Sequence, residues 1–277
     1  MNEATLRCEP GHADSGAWYV RAEPARADSG GALLRLMGID APGACGIDDV
    51  AVSTRRIRAG SALFHEGAHA LAVCFVAVGT FKSLHIAEDG YEQVLGFAGR
   101  GEVLGYDALC NGVHPSAAAA LEDSTVFALA PQDLFALCQR SPEFDRALHV
   151  TLSRQFVRQL EIANLMAAVS AEVRLARFLV QLSKSMAERG QSPRRMLLRM
   201  SRRDIASHIG VAHETVSRSF GLLAQWGCLA VCNREVEILD PERLHACAAS
   251  TRGLIESSHA HARQGSFQPV RQHSACA

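Results

Sequence analysis

No stretch of the chain approaches the ~18 consecutive apolar residues that a membrane-spanning helix needs, so no membrane span is expected. A surplus of one charge sign is missing too: 28 Lys and Arg stand against 29 Asp and Glu, a net charge of −1. Any attraction to a polyanion must therefore come from a local cluster. The cysteines number nine, without paired spacing, and an odd count argues against a disulfide scaffold. Most are expected to be reduced, with Cys74, in the run AVCFVAV, packed in a core. The opening residues MNEATLRCEPGHADSG lack the basic-then-apolar order of a secretion signal, so the expected location is the cytoplasm. What is present is a 277-residue chain, 48% hydrophobic and 21% charged, long enough for two modest globular domains.

Residues 1–30 are rich in Gly, Ala, Pro, Asp and Arg without a sustained period and read as a flexible tail. Residues 251–277 read the same way, and a metal site at His259, His261, His273 and Cys276 is not favoured in such a terminus. Within 31–142, short β-branched and apolar runs alternate with turns at Gly60, Gly67, Gly79, Gly90, Gly99 and Gly105. This spacing predicts a small double-sheet barrel. A short helix is expected from Pro131 to Cys138, and Ser141-Pro142-Glu143 is a second helix-start signal. The following segment, 143–170, carries Phe144, Leu148, Leu152, Phe156 and Leu160 every four residues, an apolar surface broader than one domain contact requires.

The most informative stretch is SRRDIASHIGVAHETVSRSFGLLAQWG, residues 201–227. Ser201 with Asp204 forms an N-cap pattern, Ile205, Ala206 and Ile209 an apolar face, and Gly210 a turn. His213-Glu214-Thr215 opens a second helix, with Val216, Phe220 and Leu223 on one side and Glu214, Ser217 and Arg218 on the other. A carboxylate can accept from cytosine N4, and a guanidinium can bridge guanine O6 and N7. An ordinary helical hairpin with a solvated charged face is the alternative. Against it stand nine basic and only two acidic residues between Glu172 and Arg203, as a phosphate-facing domain needs. The Val231–Ile238 stretch, with a turn at Asn233, reads as a β-hairpin wing closing a 171–250 domain.

The run AEVRLARFLVQLS (171–183), then SRRDIASHIG and ETVSR, resembles the DNA-binding domain of the Crp/Fnr superfamily of bacterial transcription regulators. LFHEGAHALAVCFVAVGTFKS (63–83), GYEQVLGFAGRGEVLGYDAL (90–109) and HPSAAAALEDSTV (114–126) are similar to the β-roll sensor domain of its FNR branch. The resemblance spans roughly residues 33–248. It implies an α+β architecture: an N-terminal double-stranded β-roll, jelly-roll-like and related to cyclic-nucleotide-binding domains, then a long dimerisation helix and a C-terminal winged helix-turn-helix. It implies a homodimer through Leu148, Leu152, Phe156 and Gln159, and double-stranded DNA as partner. Glu214, Ser217, Arg218 and His213 are the implied base readers, with Arg202, Thr215 and Ser201 on phosphates. Glu-x-x-Ser-Arg implies a TTGAT-N4-ATCAA site, although His213 departs from the residue usual in that branch. The loop Asp89-Gly90-Tyr91 corresponds to a surface that contacts RNA polymerase, whose sigma and alpha subunits are implied partners. Activation is the expected output, with repression left open.

No cofactor is expected. Gly101-Glu102 resembles the start of a cyclic-nucleotide cassette, but His114-Pro115-Ser116-Ala117 lacks the arginine a buried phosphate requires. FNR-type sensors hold an iron–sulfur cluster on four cysteines. Here only Cys45 and a remote Cys8 precede the β-roll, and Phe127 stands at the internal position. A redox- or haem-dependent sensor, with haem or nitric oxide at a histidine or oxidation of Cys110, stays open as the alternative. Without a recognisable effector site, control by expression level or by a partner is favoured. His65-Glu66-Gly67-Ala68-His69 matches the H-E-x-x-H zinc-hydrolase motif. Gly67 and the β-like run after it predict a turn between strands instead, and no enzyme activity is expected.

Overall fold

The computed structural model describes residues 29–39, 50–168 and 170–250. The readings on most of residues 1–30, on 251–277, and on Cys8, Cys45 and the His259, His261, His273 and Cys276 group lie outside these residues. Helix α1 (Ser29–Leu36) is followed by β1 (Ser53–Ile57), β2 (Ala62–Phe64), β3 (Val73–Val78), β4 (Phe81–Ile86), β5 (Glu92–Ala98), β6 (Val103–Leu104), β7 (Ala117–Ala120) and β8 (Ser124–Leu129). They form two four-stranded antiparallel sheets, ordered β1-β8-β3-β6 and β2-β7-β4-β5, the expected double-sheet roll. Ile57, Cys74, Val76, Phe81, Ala118, Ala120, Val126 and Ala128 fill one core cluster.

Strand β3 is buried on both faces, which explains its unbroken apolar sequence VCFVAV. Cys74 and Val76 join that cluster, while Val73 and Phe75 pack beneath α1, α2 (Pro131–Arg140) and the start of α3 with Leu134, Leu137 and Phe144. Between β3 and β4, Gly79 sits at φ +97°, and a Cβ there would lie 2.0 Å from Ser124 Oγ, so only glycine closes this turn. The His65–His69 segment is a loop: β2 ends at Phe64, Gly67 has φ +75°, and its amide donates to the His114 carbonyl at 2.8 Å. The helix on which H-E-x-x-H chemistry depends is not formed. Glu66 is held instead by His85 at 2.7 Å and by the Ile86 amide.

Helix α3 (Pro142–Met166) starts where Ser141 accepts from the Phe144 amide and ends short of the expected 170. Then come α4 (Ala171–Glu188), β9 (Arg195–Leu197), α5 (Arg202–Ile209), α6 (His213–Gln225), β10 (Leu229–Cys232), β11 (Glu235–Ile238) and α7 (Pro241–Ala249). The wing hairpin is present, with Asn233 in the left-handed region at φ 54°. It carries a third strand, β9, which the sequence does not announce: it is three residues long and pairs with β11. Val173, Leu179, Ile205, Ile209, Val216, Phe220, Leu223, Val236 and Leu244 share one core. Among the described residues, no helix is long and apolar enough to cross a membrane.

Candidate nucleic-acid interface

Ser201 and Asp204 build the start of the helix-turn-helix. The Ser201 hydroxyl accepts from the Asp204 amide at 3.1 Å, and the Asp204 carboxylate accepts from the Ser201 amide at 2.8 Å and hydroxyl at 2.6 Å. Burial pushes the Asp204 carboxyl up, but these bonds and Lys82 of β4, 3.0 Å away, hold it below the ordinary carboxylate value. Gly210 adopts φ +66°, and Arg174 of α4 donates to the Ile209 and Gly210 carbonyls at 3.1 Å each, clamping the turn. With Val216, Phe220 and Leu223 buried below, helix α6 turns its other face outward.

That outer face carries His213, Glu214, Ser217 and Arg218, all exposed. Arg218 Nη2 donates to Thr215 Oγ1 at 3.2 Å, Ser217 Oγ donates to the His213 carbonyl at 3.4 Å, and His213 Nδ1 lies 3.3 Å from Glu214. The expected base readers are thus adjacent and open. The expected phosphate contacts are more constrained. Ser201 is spent in the cap, Thr215 is half-buried, and the Arg202 guanidinium lies over the Phe220 ring and donates to the Asn233 carbonyl of the wing at 3.1 Å.

The local basic excess is also smaller than its count. Arg174 and Arg177 hold backbone carbonyls, Arg189 pairs with Glu102, Arg195 with Glu237 and Arg199 with Glu122. Arg194 and Arg203 are exposed and Arg202 is half-buried on the start of α5. Of these, Arg202 lies against α6 through Phe220.

Two joints between sheet and DNA-binding domain escaped sequence reasoning. Ser207 Oγ of α5 accepts from the Val94 amide of β5 and donates to the Glu92 carbonyl, both at 2.8 Å. Glu102, 7% exposed, meets Arg158 of α3 at 2.9 Å and Arg189 at the end of α4 at 3.2 Å. Burial raises the Glu102 carboxyl against the pull of both guanidiniums and the Gly99 amide. Contacts 87 to 115 residues apart leave no local pattern to read.

The dimer-helix residues divide. Leu148 is buried in this chain's own core and Leu152 packs against it, because the first turns of α3 cover the roll. Phe156 and Gln159 are exposed, and so are the neighbouring Val157 and Leu160. Near Gln159, about 880 Å³ of open space lies between the roll, α3 and α4, bordered by Gly96, Glu102, Gln155 and Arg158. Glu102 is already engaged there, and His114 stacks on Phe64 with ring centroids 3.7 Å apart. His114 is buried, and burial lowers its pKa. At His114 the chain thus carries an aromatic stack rather than an arginine. The loop before β5 is a tight hairpin: Tyr91 is exposed, its amide donates to Asp89, and Gly90 has φ +81°.

The described residues do not fit a four-thiolate cluster. Burial pushes the thiols of Cys74, Cys138 and Cys247 up to about 11, opposite to what thiolate ligation requires, and Phe127 packs against the core. Cys110, exposed, donates to the Asp107 carbonyl.

The Crp-like helix-turn-helix domain family matches residues 173–247, and the cyclic nucleotide-binding domain family matches residues 54–141. The fumarate and nitrate reduction regulatory protein of Salmonella typhimurium (strain LT2) is 34% identical over 208 residues, covering 75% of this chain and 83% of that protein. Its Escherichia coli K12 counterpart is equally similar. The chain belongs to the Crp/Fnr family, on its FNR branch. FixK2 from Bradyrhizobium japonicum shares the fold of this Crp/Fnr regulator with a TM-score of 0.61 and 26% identity, over 72% of this chain and 98% of that one. The chain is a transcription regulator with a helix-turn-helix DNA-binding domain.

Proposed function

We propose that this regulator binds a TTGAT-N4-ATCAA palindrome in double-stranded DNA as a homodimer and acts on transcription from the cytoplasm. The observation that carries the reading is the outer face of α6: Glu214, Ser217 and Arg218 are exposed together on a helix fixed from behind by Val216, Phe220 and Arg174. Phe156, Val157 and Leu160 supply an apolar strip on α3 that a second copy of the helix would cover. Two reading helices related by a two-fold axis would then meet half-sites one helical turn apart. Asp89, Gly90 and Tyr91 stand on a hairpin suited to touch RNA polymerase, as in activation.

The test is binding of the purified chain to a TTGAT-N4-ATCAA duplex and to a scrambled duplex at stated salt. Preference for the palindrome supports the reading, and equal affinity for both rejects the operator. Sizing of a Phe156→Glu variant reports the seam: a monomer with weakened binding is expected, and an unchanged dimer rejects it.

A further inference from the structure

Helix α5 is the back of the reading unit, and it sits on the sheet of the sensor domain. Its residue His208 is 5% exposed and fills the space between Phe97 of β5 and Phe178 of α4, edge-on to both, with centroids 5.2 and 5.7 Å away. Phe97 and Phe178 also touch each other. One residue earlier, Ser207 bridges the Val94 amide and the Glu92 carbonyl. One turn earlier, Asp204 meets Lys82. The imidazole Nδ1 is fully buried without a hydrogen-bond partner.

We propose that the junction of α5 with β4 and β5 is a proton-sensitive latch: neutral His208 keeps the reading domain docked on the sensor, and its protonation releases it. An imidazolium needs partners for both ring N–H groups. Here the Val94 backbone serves the ring, while Nδ1 faces no acceptor. Desolvation between two phenyl rings disfavours the charge. On the elements packed here the charged groups are Lys82 of β4, Glu92 of β5, Asp204 of α5 and Arg174 of α4, and Arg199, Glu122, Glu102, Arg158 and Arg189 border the same open space as His208. All are engaged: Lys82 with Glu92 and Asp204, Arg174 with the Ile209 and Gly210 carbonyls, Arg199 with Glu122, and Glu102 with Arg158 and Arg189. Each of these four carboxylates already faces a cation.

The sign follows from linkage. Burial lowers the docked His208 below its ordinary value, whereas the released ring titrates near 6.5. Docking is therefore complete above about pH 6.5 and weakens as pH falls from there towards the docked value, by up to about tenfold per pH unit. The docked arrangement leaves the face of α6 open, so it is the DNA-competent one; release lets the two reading helices lose their fixed spacing.

The test is hydrogen exchange of the β5 amides in the full chain from pH 7.5 to 5.5, corrected for intrinsic rates. Protection at Val94 should fall in mild acid for the wild type. It should stay flat in His208→Phe, which keeps an aromatic ring in the slot without a titrating group. Parallel loss in both proteins overturns the latch. So does a His208 ring that titrates at or above 6.5 by NMR in the wild-type chain, a measurement that needs no variant. Operator binding is a second readout and rests on the proposed DNA reading. If exchange follows the expected profile while no operator is bound at any pH, the latch stands and the DNA reading fails.

Discussion

The guanidinium of Arg202 lies 3.6 Å above the centroid of the Phe220 ring, so the first residue of α5 is stacked on the middle of α6. A cation over an aromatic face is worth about 1 kcal/mol when partly desolvated, as here. Arg202 also holds the Asn233 carbonyl of the wing. We expect Arg202→Ala to lower stability by about 1–2 kcal/mol in urea melts, with Arg202→Lys recovering only part because it loses the planar stack. If Arg202 also reaches a phosphate, the slope of log affinity against log salt should fall by about one unit.

Among the described residues Arg218 has no carboxylate partner and bonds the Thr215 hydroxyl, which leaves its guanidinium available to a base. Arg218→Ala should cost about 1–3 kcal/mol on the palindrome and flatten preference at one guanine position. Competition with single-base operator variants measures this. A uniform loss over all sequences would reassign Arg218 to the backbone.

Glu102 joins three elements through two guanidiniums. Removing one side of a buried pair leaves uncompensated charge, so Glu102→Ala should destabilise by about 3 kcal/mol. That is the low end for such pairs, since Arg158 and Arg189 keep part of their side chains in water. Glu102→Gln should cost less. Equal stability of Glu102→Ala and wild type in urea would show that the cluster contributes nothing net.

Asp204 gives a pH dependence of the ordinary acid type. Its folded carboxyl lies below the unfolded value, so its contribution is present above about pH 4. It is lost as pH falls through the folded value. The stability difference between wild type and Asp204→Asn should be full near neutrality and shrink below about pH 4. A difference constant from pH 7 to 3 would mean that the charge is not what stabilises the cap.

Local chemistry made the helix-turn-helix legible. Ser201 and Asp204 three residues apart, Gly210 at the turn and the apolar spacing of Val216, Phe220 and Leu223 each act within one or two turns of helix. The roll was legible from its glycine spacing. What the pattern could not carry was pairing over distance: β9 is held by β11, Ser207 by a strand over a hundred residues earlier, and Glu102 by two arginines on separate helices. Leu148 and Phe156 show the same limit within one helix. They share a four-residue period, yet one is sealed into the core and the other is 66% exposed, because a four-residue step drifts around a 3.6-residue helix and, at the level of Phe156, Gln155 and Arg158 are the residues that meet the roll.

The hydroxyl of Ser207 does at β5 what another strand would do. That strand ends its sheet, and its open backbone groups are those that invite pairing with a neighbouring molecule. By occupying the Val94 amide and the Glu92 carbonyl, the helix-turn-helix domain caps part of this open edge of the roll. Truncation after α3 would uncover that margin, and such a fragment should stack edge to edge more readily than the intact chain.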